Sequence, residues 1–418
     1  MAAAPPTAPI RVDDTAGGGR TVRRIAAVAA VTAAVAAFLA WYGNRHDFFD
    51  LRIYMSAMRW WNEGNPLYDY RQPDPVQGEL YFTYPPFTAL LLRPFAALPL
   101  GATFAVFSIL TLVAVAVTTW WLVGPATDRR DLPRWFAAGL AVPLVLAIEP
   151  SRETLAFGQI NMLLIVLILA DLLFAVPRNS RWAGVGVGLA TALKLFPGIF
   201  IVFLLVTRRW RAALVASVTA AVATLLSAAV TPGDSWRFWT HELWATDRVG
   251  RLDYTANQSL LGMLSRFTAP EAANRVLWIV LVLAVTGFGL WRAARAVSAG
   301  VDPIAGLTLA GLVGALISPI TWSHHLFWLV PAMIVLVDAA LPVPGGGGGT
   351  RWRPGYLVAA GGVFAASVYG VVSFPLWNND PVPTGSVGEF LLRNLFVLIS
   401  LLLLAGLPVR RHGGALGW

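Results

Sequence analysis

The sequence contains no cysteine and a single lysine. Without cysteine there is no disulfide, no zinc–thiolate centre and no thiol nucleophile. Charge is scarce as well: 13% of the residues are charged, against about 25% in a soluble domain. That deficit excludes a disordered polyelectrolyte and leaves too little polar surface for a soluble globule. What fills the chain is apolar: 57% of its 418 residues, with a mean hydropathy of +0.65. One soluble core of this length cannot bury so much apolar side chain and stay wettable, so the composition implies a polytopic membrane protein. The net charge of +9 does not point to nucleic acid. The arginines lie in short clusters between apolar runs, where topology signals lie.

Residues 1–19 are rich in Ala, Pro and Gly and are expected to be disordered. Arg20, Arg23 and Arg24 then precede a first span, about 25–42, that enters from the cytoplasm. Further runs of spanning length lie near 101–123, 135–149, 160–176, 212–230, 274–297, 303–319, 325–341, 355–373 and 389–407. The stretch 182–206 is basic at both ends and carries Lys194-Leu-Phe-Pro197 in its middle, so it reads as two short spans turning at Lys194. The expectation is an all-α integral membrane protein of about twelve spans with both termini in the cytoplasm. The segments assigned to the cytoplasm hold 18 Arg and 5 acids, and those assigned outside hold 12 Arg and 15 acids, as the positive-inside rule requires. The long connections, about 43–99, 231–273 and 374–388, fall outside. On this reading residues 20–330 form the working module, and 331–418 supply C-terminal spans and a basic tail.

The polar chemistry gathers on that outer side. The first external segment reads as amphipathic helices lying on the leaflet, most of their aromatics serving as anchors. Asp50 stands where the first span hands over to such a helix, either as a helix cap or as a general base whose pKa partial desolvation raises. Ser151–Asn161 offers Arg152, Glu153, Gln159 and Asn161, either for helix capping or for sugar hydroxyls, which suit amides that donate and accept at once. A lysine at a helix centre costs roughly 2.5–3.5 kcal/mol on insertion scales. Lys194 either snorkels from its turn or holds a phosphate, and a chain that otherwise uses Arg for positive charge favours the second. Asn257 and Gln258 add an amide pair, and Ser318–His325 brings Trp322 and the adjacent His324 and His325. One base, several cations, amides and aromatics beside a membrane suit sugar transfer from a lipid phosphate. Such a leaving group needs no general acid, only a cation.

These residues carry a resemblance. Asp50–Tyr54, Gly64–Tyr68, Tyr84–Pro86, Gly158–Asn161, Lys194–Pro197, Asn257–Leu260 and Ser318–His325, in order over about 46–330, resemble the GT87 glycosyltransferases of actinobacteria. The resemblance implies a GT-C membrane fold with interfacial helices in the first external loop. It also implies an inverting transfer from a polyprenyl-phosphate sugar outside the cytoplasmic membrane. It implies Asp50 as the base and general similarity to the PimE-type α-1,2-mannosyltransferases that extend phosphatidylinositol mannosides. Arabinofuranosyl transfer and lipoarabinomannan branching remain open within the family. A donor phosphate is expected against Lys194, His324, His325 and Arg52. The sugar and acceptor are expected against Tyr54, Tyr84, Arg152, Glu153, Gln159, Asn161, Asn257, Gln258 and Trp322. No metal, cofactor or nucleic acid is expected; the partners are the lipid-linked donor, the glycolipid acceptor and membrane lipids, and the chain is expected to be a monomer. The rival class is a lipid-linked sugar transporter or flippase, which would be expected to show internal repeats; the sequence shows none.

Overall fold

The computed structural model describes residues 14–74, 78–245, 248–298, 302–344, 352–375 and 384–409. The helix α1 (Asp14–Tyr42) already begins within the stretch expected to be disordered, as helix propagates outward from an apolar span; residues 1–13 lie outside the described residues. A turn leads to α2 (Phe49–Asn62), then to a short antiparallel hairpin of β1 (Gln72–Asp74) and β2 (Gly78–Leu80), and to α3 (Pro86–Leu92). The bundle continues with α4 (Leu100–Asp128), α5 (Arg134–Ala147), α6 (Glu149–Phe157), α7 (Asn161–Ala170), α8 (Val185–Leu193), α9 (Ile199–Val206) and α10 (Trp210–Val230). It closes with α11 (Pro232–Thr240), α12 (Leu260–Thr268), α13 (Arg275–Ser298), α14 (Pro303–Ile317), α15 (Leu329–Ala340), α16 (Pro354–Tyr369), α17 (Val387–Arg393) and α18 (Leu395–Gly406).

Residues 18–42 of α1, together with α4, α10 and α13, are each long and apolar enough to cross a membrane; α17 and α18 pass together but are bent by 76°. Six more apolar stretches are 10–17 residues long. This is a multi-pass membrane protein. The long helices present Leu214, Val218 and Leu225 of α10 and Val276, Val280 and Leu283 of α13 to the surroundings, a surface that suits lipid. At the centre α14 is buried from Ile304 to Leu316, with α9, α13, α15 and α18 packed around it.

The break at Lys194 is present. Pro197 has no N–H to offer the carbonyl of Leu193, and the Thr88 hydroxyl donates to that carbonyl instead. Gly184 lies against Ala212 and Gly188 against Ala216, so α8 runs beside α10 in the same direction, and α9 returns along it. The first external segment differs from the expectation in one respect. The apolar face of α2 (Leu51, Tyr54, Met55, Met58) is turned into a protein core shared with Leu67, Tyr68, Phe82 and Phe238, and does not lie open to a leaflet.

The connections sort by end. Asp234 of α11 accepts from the Leu67 backbone and Trp61, and Arg237 pairs with Asp69, tying 231–245 to 49–70. At the other end Arg129 and Arg130 pair with Asp338, and Arg211 donates to Asn179 and Ser180.

Candidate active site

The handover from α1 to α2 is a tight one: Asp47 and Phe48 both adopt left-handed backbone conformations, a cost of about 1–2 kcal/mol each outside glycine. The Phe48 N–H is held by the Ala156 carbonyl at 2.8 Å. Asp50 then falls in the first turn of α2 and is not its cap; the cap position is Phe48, with no side-chain hydrogen bond. Across from it α6 ends at Gly158, left-handed at φ 70°, and the next residue, Gln159, turns its amide onto Asp50. The Gln159 Nε2 donates to Asp50 Oδ2 and, at 2.9 Å, to the Tyr54 hydroxyl. Tyr54 donates to the Tyr84 hydroxyl at 2.8 Å, and Tyr84 donates back to Gln159 Oε1 at 2.8 Å. Three side chains thus close a ring with Asp50 on one side.

Lys194 hangs on the other side. Its extended backbone (φ −154°, ψ 128°) ends α8 and sends Nζ to within 3.2 Å of the Tyr84 hydroxyl, 3.1 Å of Asn161 Oδ1 and 2.9 Å of His325 Nε2. Asn161, the first residue of α7, donates its Nδ2 to the His324 carbonyl. His324 is buried, and among the described residues its Nε2 has no hydrogen-bond partner. Phe196 stacks on the His325 ring. Asp50, Tyr54, Tyr84, Gln159, Lys194, Trp322, His324 and His325 all line one cavity of about 470 Å³.

Burial sets the electrostatics. Removal from water pushes the Asp50 carboxyl up from 3.8 to about 6, with the Gln159 hydrogen bond and the Lys194 charge restraining the rise. The same burial pulls the Lys194 ammonium down from 10.5 to about 7, partly offset by Asp50. Burial first and Lys194 second push His324 and His325 well below the usual imidazole range, so both rings are neutral.

Other expected site residues stand elsewhere. Arg52 turns back to the Asp47 carboxylate and carbonyl and lies over the Phe104 ring. Arg152 is spent on the carbonyls of Ala147 and Val368 and the Ser373 hydroxyl. Glu153 pairs with His46 Nε2 at 2.7 Å and accepts from Tyr42. Asn257 accepts from the Thr321 N–H and donates to the Leu252 and Pro319 carbonyls, and Gln258 bridges Thr255 to Arg393, Phe396 and Val397. Arg152, Asn257 and Gln258 are buried and bonded mainly to backbone, and buried Glu153 to side chains, so these four brace the loops behind the cavity. The cavity wall also includes Phe157, Glu242, Arg248 and Tyr254, which the sequence reading did not single out. Arg248 pairs with Glu242 at 2.7 Å and covers the Tyr81 ring. Phe157 lies inside the Ser151–Asn161 stretch; Glu242, Arg248 and Tyr254 form no local pattern, and their only signal was their place in the long 231–273 connection. Among the described residues no three His, Asp or Glu side chains gather as a metal site would require.

An aspartate and a lysine within one hydrogen-bonded cluster, on the wall of a cavity of about 470 Å³, have the chemistry for group transfer between a hydroxyl and a phosphate. The comparisons agree with that chemistry. The model of glycosyltransferase family 87 matches residues 82–319. The chain is 36% identical over 317 residues, 72% of its own length and 73% of the relative's, to a polyprenol-phosphate-mannose-dependent α-(1-2)-phosphatidylinositol mannoside mannosyltransferase of Mycobacterium tuberculosis. It is 32% identical over 382 residues, 86% and 83% of the two lengths, to a polyprenol-phosphate-mannose-dependent α-(1-2)-phosphatidylinositol pentamannoside mannosyltransferase of the same species. An α-(1→3)-arabinofuranosyltransferase of that species is 28% identical over 298 residues, 68% of this chain and 64% of the relative. No solved structure matches the chain. This protein belongs to glycosyltransferase family 87.

Proposed function

We propose that the protein moves mannose from polyprenyl-phosphate mannose to a phosphatidylinositol mannoside, forming an α-1,2 linkage with inversion at the anomeric carbon. The observation that carries this reading is the suspension of Asp50 and Lys194 from one side-chain ring on the wall of one cavity. Only Oδ2 of Asp50 is engaged by Gln159, which leaves Oδ1 for an acceptor hydroxyl. That hydroxyl gives its proton to Asp50 as its oxygen attacks the anomeric carbon. The bond to the phosphate oxygen breaks, and its electron pair leaves with the polyprenyl phosphate, whose growing charge Lys194 meets. The reaction runs on the outer face of the cytoplasmic membrane, because the arginine-rich connections lie at the opposite end of the bundle. The names of the two mannosyltransferase relatives support the donor and the acceptor class.

The test is transfer by purified protein from polyprenyl-phosphate mannose to a phosphatidylinositol tetramannoside, read by mass spectrometry, with Asp50→Asn alongside. A hexose added by the wild type and lost in the variant, which still binds donor, is the expected result. The similarity to arabinofuranosyltransferases supports one second reading. If mannose is not transferred, decaprenyl-phosphate arabinose with an arabinan acceptor decides it. Donor bound but transferred in neither assay would make the protein a carrier and not an enzyme.

A further inference from the structure

The hydrogen bonds around Lys194 count its protons. The Trp322 backbone N–H donates to His325 Nδ1 at 3.2 Å. A peptide N–H can only donate, so Nδ1 carries no hydrogen, and a neutral imidazole must then carry its proton on Nε2. That Nε2–H faces Lys194 Nζ at 2.9 Å. An ammonium has three donors and no lone pair, so an N–H pointing at it at this distance would be a donor meeting a donor. A neutral amine resolves the conflict. Its lone pair accepts from His325, and its two hydrogens go to Asn161 Oδ1 and to the Tyr84 hydroxyl. Tyr84 is itself an acceptor there, since its own hydrogen is committed to Gln159 Oε1. Every partner of Nζ is then satisfied once.

We infer that Lys194 stands as a neutral amine before the donor arrives and takes up a proton as the donor's phosphodiester binds. The inference rests on the donor class proposed above and adds to it what the site does with charge. The amine lone pair takes a proton from solvent and becomes an ammonium. The lone pair that held the His325 Nε2–H is then gone, so that N–H is released and becomes a second donor to the phosphate. A buried cation is expensive without a counter-charge, and this arrangement forms one only when the anion is present to offset it. The other titratable groups around the amine fit this state. Asp50 on α2 is the charge that most favours the ammonium; His324 and His325 are neutral. His46 and Glu153 form their own pair behind Phe157, on which His46 stacks at 4.1 Å.

Calorimetry of donor binding tests it. Polyprenyl-phosphate mannose is titrated into the whole protein at pH 8, without acceptor, in buffers of different ionisation enthalpy. The donor's phosphodiester has no group titrating in this range, so any proton taken up is the protein's. The expected result is uptake of about one proton per donor, falling to a small fraction of that at pH 6, where the amine is already protonated. Lys194→Arg, whose guanidinium stays charged, should bind without uptake, and Asp50→Asn should keep the uptake. Binding without uptake by the wild type at pH 8 overturns the inference and leaves the donor reading intact. Uptake that persists in Lys194→Arg, or vanishes in Asp50→Asn, assigns the proton to another group and overturns it too. No binding by the wild type would remove the donor reading itself, and the inference with it.

Discussion

Burial acts on Asp50 in two opposed ways, and together they give a signature that a merely structural aspartate would not show. A carboxyl lifted from 3.8 to about 6 is a better base, yet its ionised form is disfavoured in the folded protein. With the folded value above the unfolded one, the group's contribution to stability is full below pH 3.8 and is lost as pH rises through about 6. At pH 7.5 the ionised carboxylate costs up to about 3 kcal/mol relative to its protonated form. Asp50→Asn should therefore unfold at a higher temperature than the wild type at pH 7.5, with the difference vanishing toward pH 3.5, while transfer falls by about 10²–10⁴. The wild-type rate should climb as pH passes about 6, because the base must be ionised to act. Thermal unfolding in detergent and a pH–rate profile check both, and a variant that lost stability together with activity would make Asp50 a structural residue. At this scale the sequence was legible where a polar residue had no cheap reason to be present. Lys194 and Asp50 stood out in that way. Arg152, Glu153, Asn257 and Gln258 did not separate from ligand-binding residues, because partners such as those at 42–46, 368–373, 319–321 and 393–397 lie far away in sequence.

At the scale of elements, the geometry of the base depends on how closely α6 approaches α2. Gly158 makes that approach possible: a Cβ there would lie 2.6 Å from the Leu51 Cβ, on a backbone with φ 70°. Both terms penalise any side chain, the first by overpacking of about 1–3 kcal/mol and the second by about 1–2 kcal/mol. Gly158→Ala should lower the unfolding temperature and, by pushing Gln159 off Asp50, lower kcat more than it raises the donor KM. Unfolding curves and initial rates on the same preparation measure the two effects, and a variant with wild-type kcat would show that Gln159 need not be held. The α8–α9 break was readable from Pro197, since a missing N–H forces the interruption wherever the chain goes. The inward turn of α2 was not readable. Its apolar stripe has the same period whether it faces lipid or protein, and the Leu67, Phe82 and Phe238 that cover it come from elsewhere in the chain. The hairpin at residues 72–80 is too short to leave an alternating pattern.

Over the whole molecule, the C-terminal spans are more than hydrophobic filler. Glu149 of α6 accepts from the N–H groups of Val371, Val372 and Ser373 just after α16, and Arg266 of α12 grips Asn394 between α17 and α18. Sequence showed those spans only as apolar runs, because a carboxylate bonded to backbone leaves no mark on the residues that donate to it. The orientation of the bundle in the membrane is a proposal from the charge count, and it has a direct test that the missing cysteines make clean. Exposed tryptophans cluster near helix ends: Trp41, Trp236 and Trp244 at the end carrying the cavity, and Trp135, Trp182 and Trp210 at the arginine-rich end, as two interfacial belts would require. With no native thiol to give background, a single introduced cysteine reports its own side. Glu63→Cys, at the exposed end of α2, should react with a membrane-impermeant maleimide in intact cells. Arg181→Cys, exposed between α7 and α8, should react only after the membrane is opened. The reverse pattern would put Asp50 in the cytoplasm, where the positive-inside count would be wrong. Labelling of both sites in intact cells would mean that this connection does not lie on the side its arginines indicate.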